Sequence, residues 1–160
     1  MPEVIYTIGH GNLSFMKFVS LIQANNITKI IDIRSIPYSR KAPWSNKSRL
    51  PQLLKPIGIR YTYLGHKLND KNQTFTPHGQ NPEQDSGQAY LEAVATIIQA
   101  AEKRQIALLC TESDPAHCIR QNVIAQTLLN RDMKVTHILH NGNLTEAWNE
   151  SSPPKQPELF

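Results

Sequence analysis

Short runs rich in β-branched and aromatic residues, separated by stretches of helical period, constrain the fold of this chain more than any other feature. The runs are Val4-Ile-Tyr-Thr-Ile8, Ile30-Ile-Asp-Ile33, Gly58-Ile-Arg-Tyr-Thr-Tyr-Leu64, Ile106-Ala-Leu-Leu-Cys110 and Lys134 to Leu139. Between the first two, Ser14 is placed to cap a helix in which Phe15, Phe18, Val19 and Ile22 share a face, and Asn25-Asn26 is placed to close it. Pro37 cannot continue a central ladder, so the second strand ends near Arg34-Ser-Ile. A short helix is expected around Ser48 to Lys55. A longer one is expected from Gly87 to Arg104, with Tyr90, Leu91, Val94, Ile97, Ile98 and Ala101 on one side, and another from about Ala116 to Asn130. Strands alternating with helices predict parallel pairing with right-handed crossovers, hence a three-layer α/β/α sandwich on a mainly parallel open sheet.

The domain is expected to be single and to occupy residues 1–150, because 160 residues with 39% hydrophobic content suffice for one core. Residues 151–160 hold three prolines and no period, and read as an extended tail. Residues 65–86 also lack a period, which points to a lid, a binding loop or disorder. No run approaches the about 18 apolar residues of a membrane span, and Met1-Pro-Glu leads directly into a strand rather than a leader. A soluble cytoplasmic protein without a membrane partner is therefore expected. Two cysteines, Cys110 and Cys118, are too few for a disulfide scaffold and suit a reducing compartment.

Charge is unevenly distributed. Residues 29–71 hold ten of the 17 Lys and Arg against Asp32 and Asp70, a local balance of +8 that leaves −4 for the rest. Such a segment attracts phosphates or acidic partners, although a solvated basic face has the same composition. Within it, Tyr38-Ser-Arg-Lys-Ala-Pro-Trp44, Lys47 and Arg49 interleave cations with rings, as grooves that track single strands do. Arg40 and Trp44 are candidate ligand contacts on this ground; alternatively Trp44 pins the loop to the core.

In open α/β sheets, ligands sit outside the carboxyl ends of the strands. Gly9-His10, Asp32-Ile-Arg34-Ser35, Cys110-Thr-Glu112 and His137 should all lie on that edge. His10 stands between two glycines that let the backbone approach a ligand closely, and could orient a substrate or act as an acid. Asp32 and Arg34 point to the same side of a strand. They form either a buried ion pair or, with Ser35, an anion clamp that Asp32 orients. Cys118, near Arg120, is placed for thiol nucleophilicity or for simple burial. Glu112 is the candidate general base, with Asp114 before Pro115 as helix cap and Arg120 stabilising negative charge. A phosphatase-like Cys-x5-Arg loop is excluded, since Ala116 occupies the arginine position after Cys110. A zinc set drawn from Cys110, Cys118, His117 and a distant His lacks any Cys-x2-Cys pair, so no metal is expected. The sequence identifies no cofactor.

Thr7-Ile-Gly-His10, Asp32-Ile-Arg-Ser35 with Pro37 and Ser39, Gly58-Ile-Arg-Tyr61, Leu64-Gly65, Leu109-Cys-x-Glu112 and Pro115-x-x-Cys-x-Arg120 together resemble the family known as domain of unknown function 488, over roughly residues 4 to 140. The resemblance implies an α/β domain with a shared polar site and supplies no reaction. Members usually read Cys-His-Arg where this chain has Cys118-Ile119-Arg120, Gly-His-Ser where it has Gly9-His10-Gly11, and a further glycine where His66 follows Gly65. Asp32-Ile-Arg34 also looks like the opening of a rhodanese-type sulfurtransferase, without that family's compact loop after the cysteine.

The leading expectation is a protein that binds a phosphate-bearing ligand, a nucleotide or nucleic acid, at the strand-end crevice, with hydrolytic or group-transfer chemistry if it is an enzyme. The alternatives are a non-catalytic nucleic-acid module using the basic loop 34–49, and a thiol-dependent sulfurtransferase-like enzyme using Cys110 or Cys118.

Overall fold

The computed structural model describes residues 4–68, 87–115 and 118–147, excluding the side chains of 119–121. In chain order the elements are β1 (Val4–Gly9), α1 (Phe15–Ala24), β2 (Lys29–Asp32), a 3-10 turn (Pro43–Ser45), α2 (Leu50–Leu54), a second 3-10 turn (Lys55–Ile57), β3 (Arg60–Tyr63) and α3 (Gly65–Leu68). They continue with α4 (Gln88–Lys103), β4 (Ile106–Cys110), α5 (Ile119–Leu129), β5 (Lys134–Ile138) and β6 (Leu144–Glu146). The strands form one sheet in the order β3-β2-β4-β1-β5-β6. The first five are parallel and β6 runs antiparallel to β5.

Local chemistry sets the ends of these elements. The Ser14 hydroxyl accepts from the Lys17 N–H at 3.2 Å and starts α1. At its other end Asn26 takes a left-handed φ of 58°, and the Ile27 N–H returns to the Ile22 carbonyl at 3.0 Å, which closes the helix as Asn25-Asn26 suggested.

The period of two along each strand divides the core into two layers. Ile5, Ile31, Ile33, Ile106, Leu108 and Val135 face α4 and α5, where Tyr90, Val94, Ile97, Ile124 and Leu128 cover them. Ile8, Ile30, Ala107, Leu109 and Ile138 face α1 and α2, and meet Phe18, Leu21, Ile22, Leu50 and Leu54. Each fully buried side chain of this kind stabilises the fold by about 1.5–3 kcal/mol before entropy is counted. The α/β/α layering expected from the sequence is therefore present, with both faces of the sheet covered.

The connection from β2 leads to β3 by α2 over one face, and that from β4 leads the opposite way to β5 by α5 over the other. These two strands are neighbours, paired from Lys29↔Ile106 to Asp32↔Leu109. Their carboxyl ends thus bound a topological switch point, the place where open α/β sheets bind ligands, and the chain leaving β1 crosses beside it on its way to β2.

The strand β6 was not anticipated. Its three residues are all exposed, so no alternation of apolar residues marks it. Gly58 and Ile59 belong to the turn before β3 rather than to the strand, and α2 is shorter than the expected Ser48–Lys55. The helix α5 begins at Ile119, not Ala116, and residues 116–117 lie outside the described set. A single turn of helix, α3, opens the stretch read as aperiodic, because four residues are too few to show a period. Residues 69–86 and the tail 151–160 lie outside the described residues.

Candidate functional site

The ladder between β1 and β4 runs past the strand ends: the His10 N–H donates to the Cys110 carbonyl and the Gly11 N–H to the Thr111 carbonyl, both at 3.0 Å. Main chain therefore lies on main chain here. A Cβ on Gly9 would stand 1.7 Å from the Glu112 carbonyl oxygen, and Gly11 has a φ of +46°, so both positions require glycine.

His10 is 1% exposed. Its Nδ1 lies 3.0 Å from the Gly11 carbonyl, which can only accept, so Nδ1 carries the ring proton. Burial lowers the pKa of this imidazole, more than the bond to Gly11 raises it, and the nearby Arg34 lowers it further. The ring is thus neutral near pH 7, and Nε2 presents a bare lone pair. That atom is buried without a hydrogen-bond partner among the described residues. His140 completes the turn, its Nε2 donating to the Gly9 carbonyl at 2.6 Å.

Beside His10, Asp32 and Arg34 form a fork-on-fork pair. Arg34 Nε donates to Asp32 Oδ1 at 2.8 Å and Nη2 to Oδ2 at 2.7 Å. Nη1 donates to the Ser45 hydroxyl at 3.0 Å, and Nη2 also to the Ser45 carbonyl at 2.7 Å. The side chains are 1% and 0% exposed. Of the two roles open to Asp32 and Arg34, this geometry is that of the buried pair, because the guanidinium is directed at Asp32 and Ser45. The Tyr61 hydroxyl donates to Asp32 Oδ2 at 2.5 Å, and burial together with the Asp32 charge pushes its pKa far up. The Tyr63 hydroxyl donates to the carbonyls of Arg34 at 2.8 Å and Ser35 at 3.1 Å, which fixes the chain as it leaves β2.

The loop after β2 folds back over this pair. Trp44 packs on Phe18 and Phe15, with ring centroids 4.8 and 5.6 Å away, and stands edge-on to His10 at 6.3 Å. Its Nε1 donates to the Leu13 carbonyl at 2.9 Å. The ring thus pins the loop to the core. Ser35, Arg40, Lys41, Lys47 and Arg49 are exposed around it, with the Lys47 ammonium 4.7 Å from the Tyr63 ring centre.

The remaining candidates lie on the same edge but on the other face. Cys110 and Cys118 belong to the layer covered by α4 and α5 and are 3% and 8% exposed. A bond to Cys118 and complete burial raise the Cys110 pKa well above that of a free thiol, so it is not a thiolate near neutrality. His137 is bonded through Nδ1 to the Thr7 hydroxyl at 2.6 Å, and burial lowers its pKa. It lines a hollow of about 510 Å³ with Asp114, Asn122 and Gln126. Glu112 has an exposed side chain, while its main chain packs on Gly9. Asp114 lies five residues before the first residue of α5, Ile119, and the Cys118 N–H turns back to the Pro115 carbonyl at 3.2 Å. Arg120 falls on the first turn of α5, but its side chain, like His117, lies outside the described residues.

The structure therefore brings together His10, Asp32, Arg34 and Trp44, and sets Cys110, Cys118 and His137 across the sheet from them. Period two is the cause: Asp32 alternates with Ile31 and Ile33, and Cys110 with Leu109. Sequence reasoning missed Ser45, Tyr61, Tyr63 and His140. Tyr61 and Tyr63 were legible only once β3 was placed beside β2, in the register Ile30↔Tyr61 and Asp32↔Tyr63. His140, two residues past β5, carried the signal of a strand-end histidine.

Among the described residues no group of three or more His, Cys, Asp or Glu is gathered as a metal site, and no helix is long and apolar enough to cross a membrane.

The fold and site define a doubly wound α/β domain with a buried histidine beside its switch point whose Nε2 has no partner among the described residues. The chain belongs to the family described as Domain of unknown function DUF488, whose sequence pattern matches residues 14–128. That span is narrower than the 4 to 140 expected, and Thr7-Ile-Gly-His10 falls before it. No curated protein and no solved structure matches the chain.

Proposed function

We propose that the chain binds a phosphate-bearing ligand, a nucleotide or a segment of nucleic acid, at the strand-end crevice beside α1, with His10 accepting a proton-bearing group there. The observation that carries this reading is the buried Nε2 of His10, without a partner among the described residues and beside the switch point. A buried lone pair costs free energy unless something donates to it. A ribose hydroxyl, a base N–H or an attacking water supplies such a donor. The exposed cations Arg40, Lys41, Lys47 and Arg49, on the loop that Trp44 ties to His10, suit the phosphate.

Neutral His10 is suited to accept a proton rather than to give one, so a hydrolytic or group-transfer reaction would use it as the base. Two further observations favour this reading over its rivals. The Trp44 ring is engaged with Phe15 and Phe18, which leaves the loop's cations with the exposed Tyr38 ring alone, a smaller stacking surface than a strand-tracking module uses. The buried Cys110 thiol is held protonated, which disfavours thiol chemistry at that residue.

The reading is tested by fluorescence anisotropy with labelled ATP and a labelled single-stranded 12-mer, for the wild type, His10→Ala and Arg40→Glu/Lys47→Glu. His10→Ala is expected to weaken the bound species about tenfold, as loss of one hydrogen bond to a buried acceptor does. The double variant is expected to flatten the salt dependence. Equal affinity in all three proteins, or no binding of either probe at low salt, refutes the reading.

A further inference from the structure

At the opposite edge of the sheet, where the strands begin, cations gather without an ion pair among the described residues. Lys29 is the first residue of β2 and Arg60 the first of β3, in register with one another. Arg104 stands two residues before β4, itself in register with β2 through Lys29↔Ile106. Lys55, from the turn before β3, joins them at the rim of an open hollow of about 600 Å³. Lys29 and Arg60 line the same hollow, and Pro51, Ile59 and Tyr61 give it apolar walls. The chain has no Asp or Glu between Asp32 and Asp70. None of the four cations makes an ion pair among the described residues.

Lys29 is half-buried, and its pKa is lowered by that burial and then by the charges of Arg104 and Arg60. An ammonium held among like charges is an arrangement that an anion relieves. Neighbouring strands lie about 4.8 Å apart, so the first residues of β2 and β3 present their charges at a spacing that consecutive phosphates can meet.

We propose that this amino-edge hollow is a second anion site, separate from the strand-end crevice, that takes a ligand carrying two or more linked phosphates. The phosphates come from a free polyphosphate chain, as on a nucleoside triphosphate, or from a nucleic-acid backbone; the recognising chemistry is the same. The apolar walls and the Tyr61 ring accommodate the group that bears them.

The test uses the full chain, inorganic tripolyphosphate by calorimetry and a labelled single-stranded 12-mer by anisotropy, with Lys55→Glu/Arg60→Glu as the variant. Both residues are exposed, so the melting curve is expected to stay unchanged while tripolyphosphate affinity falls at least tenfold. If the 12-mer binds and the variant's log-log salt slope falls by about 1.4, two single-strand phosphate contacts, the source is a nucleic-acid backbone. If tripolyphosphate alone responds, the source is a free polyphosphate. A His10→Gln chain keeps this affinity whether or not the crevice reading holds, which distinguishes the two sites. Loss of the same binding in His10→Gln, or equal affinity of wild type and Lys55→Glu/Arg60→Glu for both probes, overturns the proposal.

Discussion

Replacing Arg34 with methionine separates a structural ion pair from a ligand clamp. The substitution removes two bonds to Asp32, at 2.8 and 2.7 Å, and two to Ser45, at 3.0 and 2.7 Å. Asp32, 0% exposed, then keeps the Tyr61 hydroxyl and the backbone N–H of residue 34. Breaking a buried pair by deleting one partner costs about 3–5 kcal/mol, because the other charge stays buried and uncompensated. For a chain of this size that lowers the melting temperature by roughly 10 °C. Replacing both members, Asp32→Leu with Arg34→Met, removes the orphaned charge, and apolar substitution of a whole pair is often close to neutral. The double variant is therefore expected to lose less than the sum of the single variants, by at least about 1 kcal/mol. Urea unfolding followed by tryptophan fluorescence measures all three. An Arg34→Met protein within about 0.5 kcal/mol of wild type, with ligand binding abolished, would refute the reasoning and restore the clamp.

Two further outcomes follow from the same geometry. The folded pKa values of His10 and His137 lie below the ordinary value of 6.5, so the unfolded chain binds more protons as pH falls through that value. Stability is therefore complete above about pH 7 and declines from pH 7 towards 5. His10→Gln should reduce that decline in urea midpoints, and an identical pH profile in the variant contradicts the neutral-imidazole assignment. Gly9→Ala drives a Cβ to 1.7 Å from a backbone oxygen, which no side-chain rotation relieves. It is expected to cost about 1–3 kcal/mol and to shift the amide resonances of residues 110–113, and unchanged spectra there would show that the two segments do not touch.

The fold was legible because it rests on repeated local signals. The apolar runs that became β1, β2, β4 and β5 and the periods of α1 and α4 are properties of a few consecutive residues, and burial on both faces of the sheet is what such runs are for. The three-residue β6 and the one-turn α3 escaped notice because elements that short carry no period.

The sequence by itself determined which chemistry-bearing residues reach the carboxyl edge of the sheet, since a residue at a strand end goes wherever the strand goes. Only the tertiary structure decided their company. Alternation along the strands sent Asp32 and Arg34 to the α1 face with His10, and Cys110 and Cys118 to the other, a division of one edge by parity. Partners 11 and 29 residues away in the chain, Ser45 and Tyr61, then closed around the ion pair, while the Gly11 carbonyl fixed the tautomer of His10 and left Nε2 unsatisfied. Those outcomes depend on strand order and on which loop folds over which face, and neither is encoded in the spacing of any one segment.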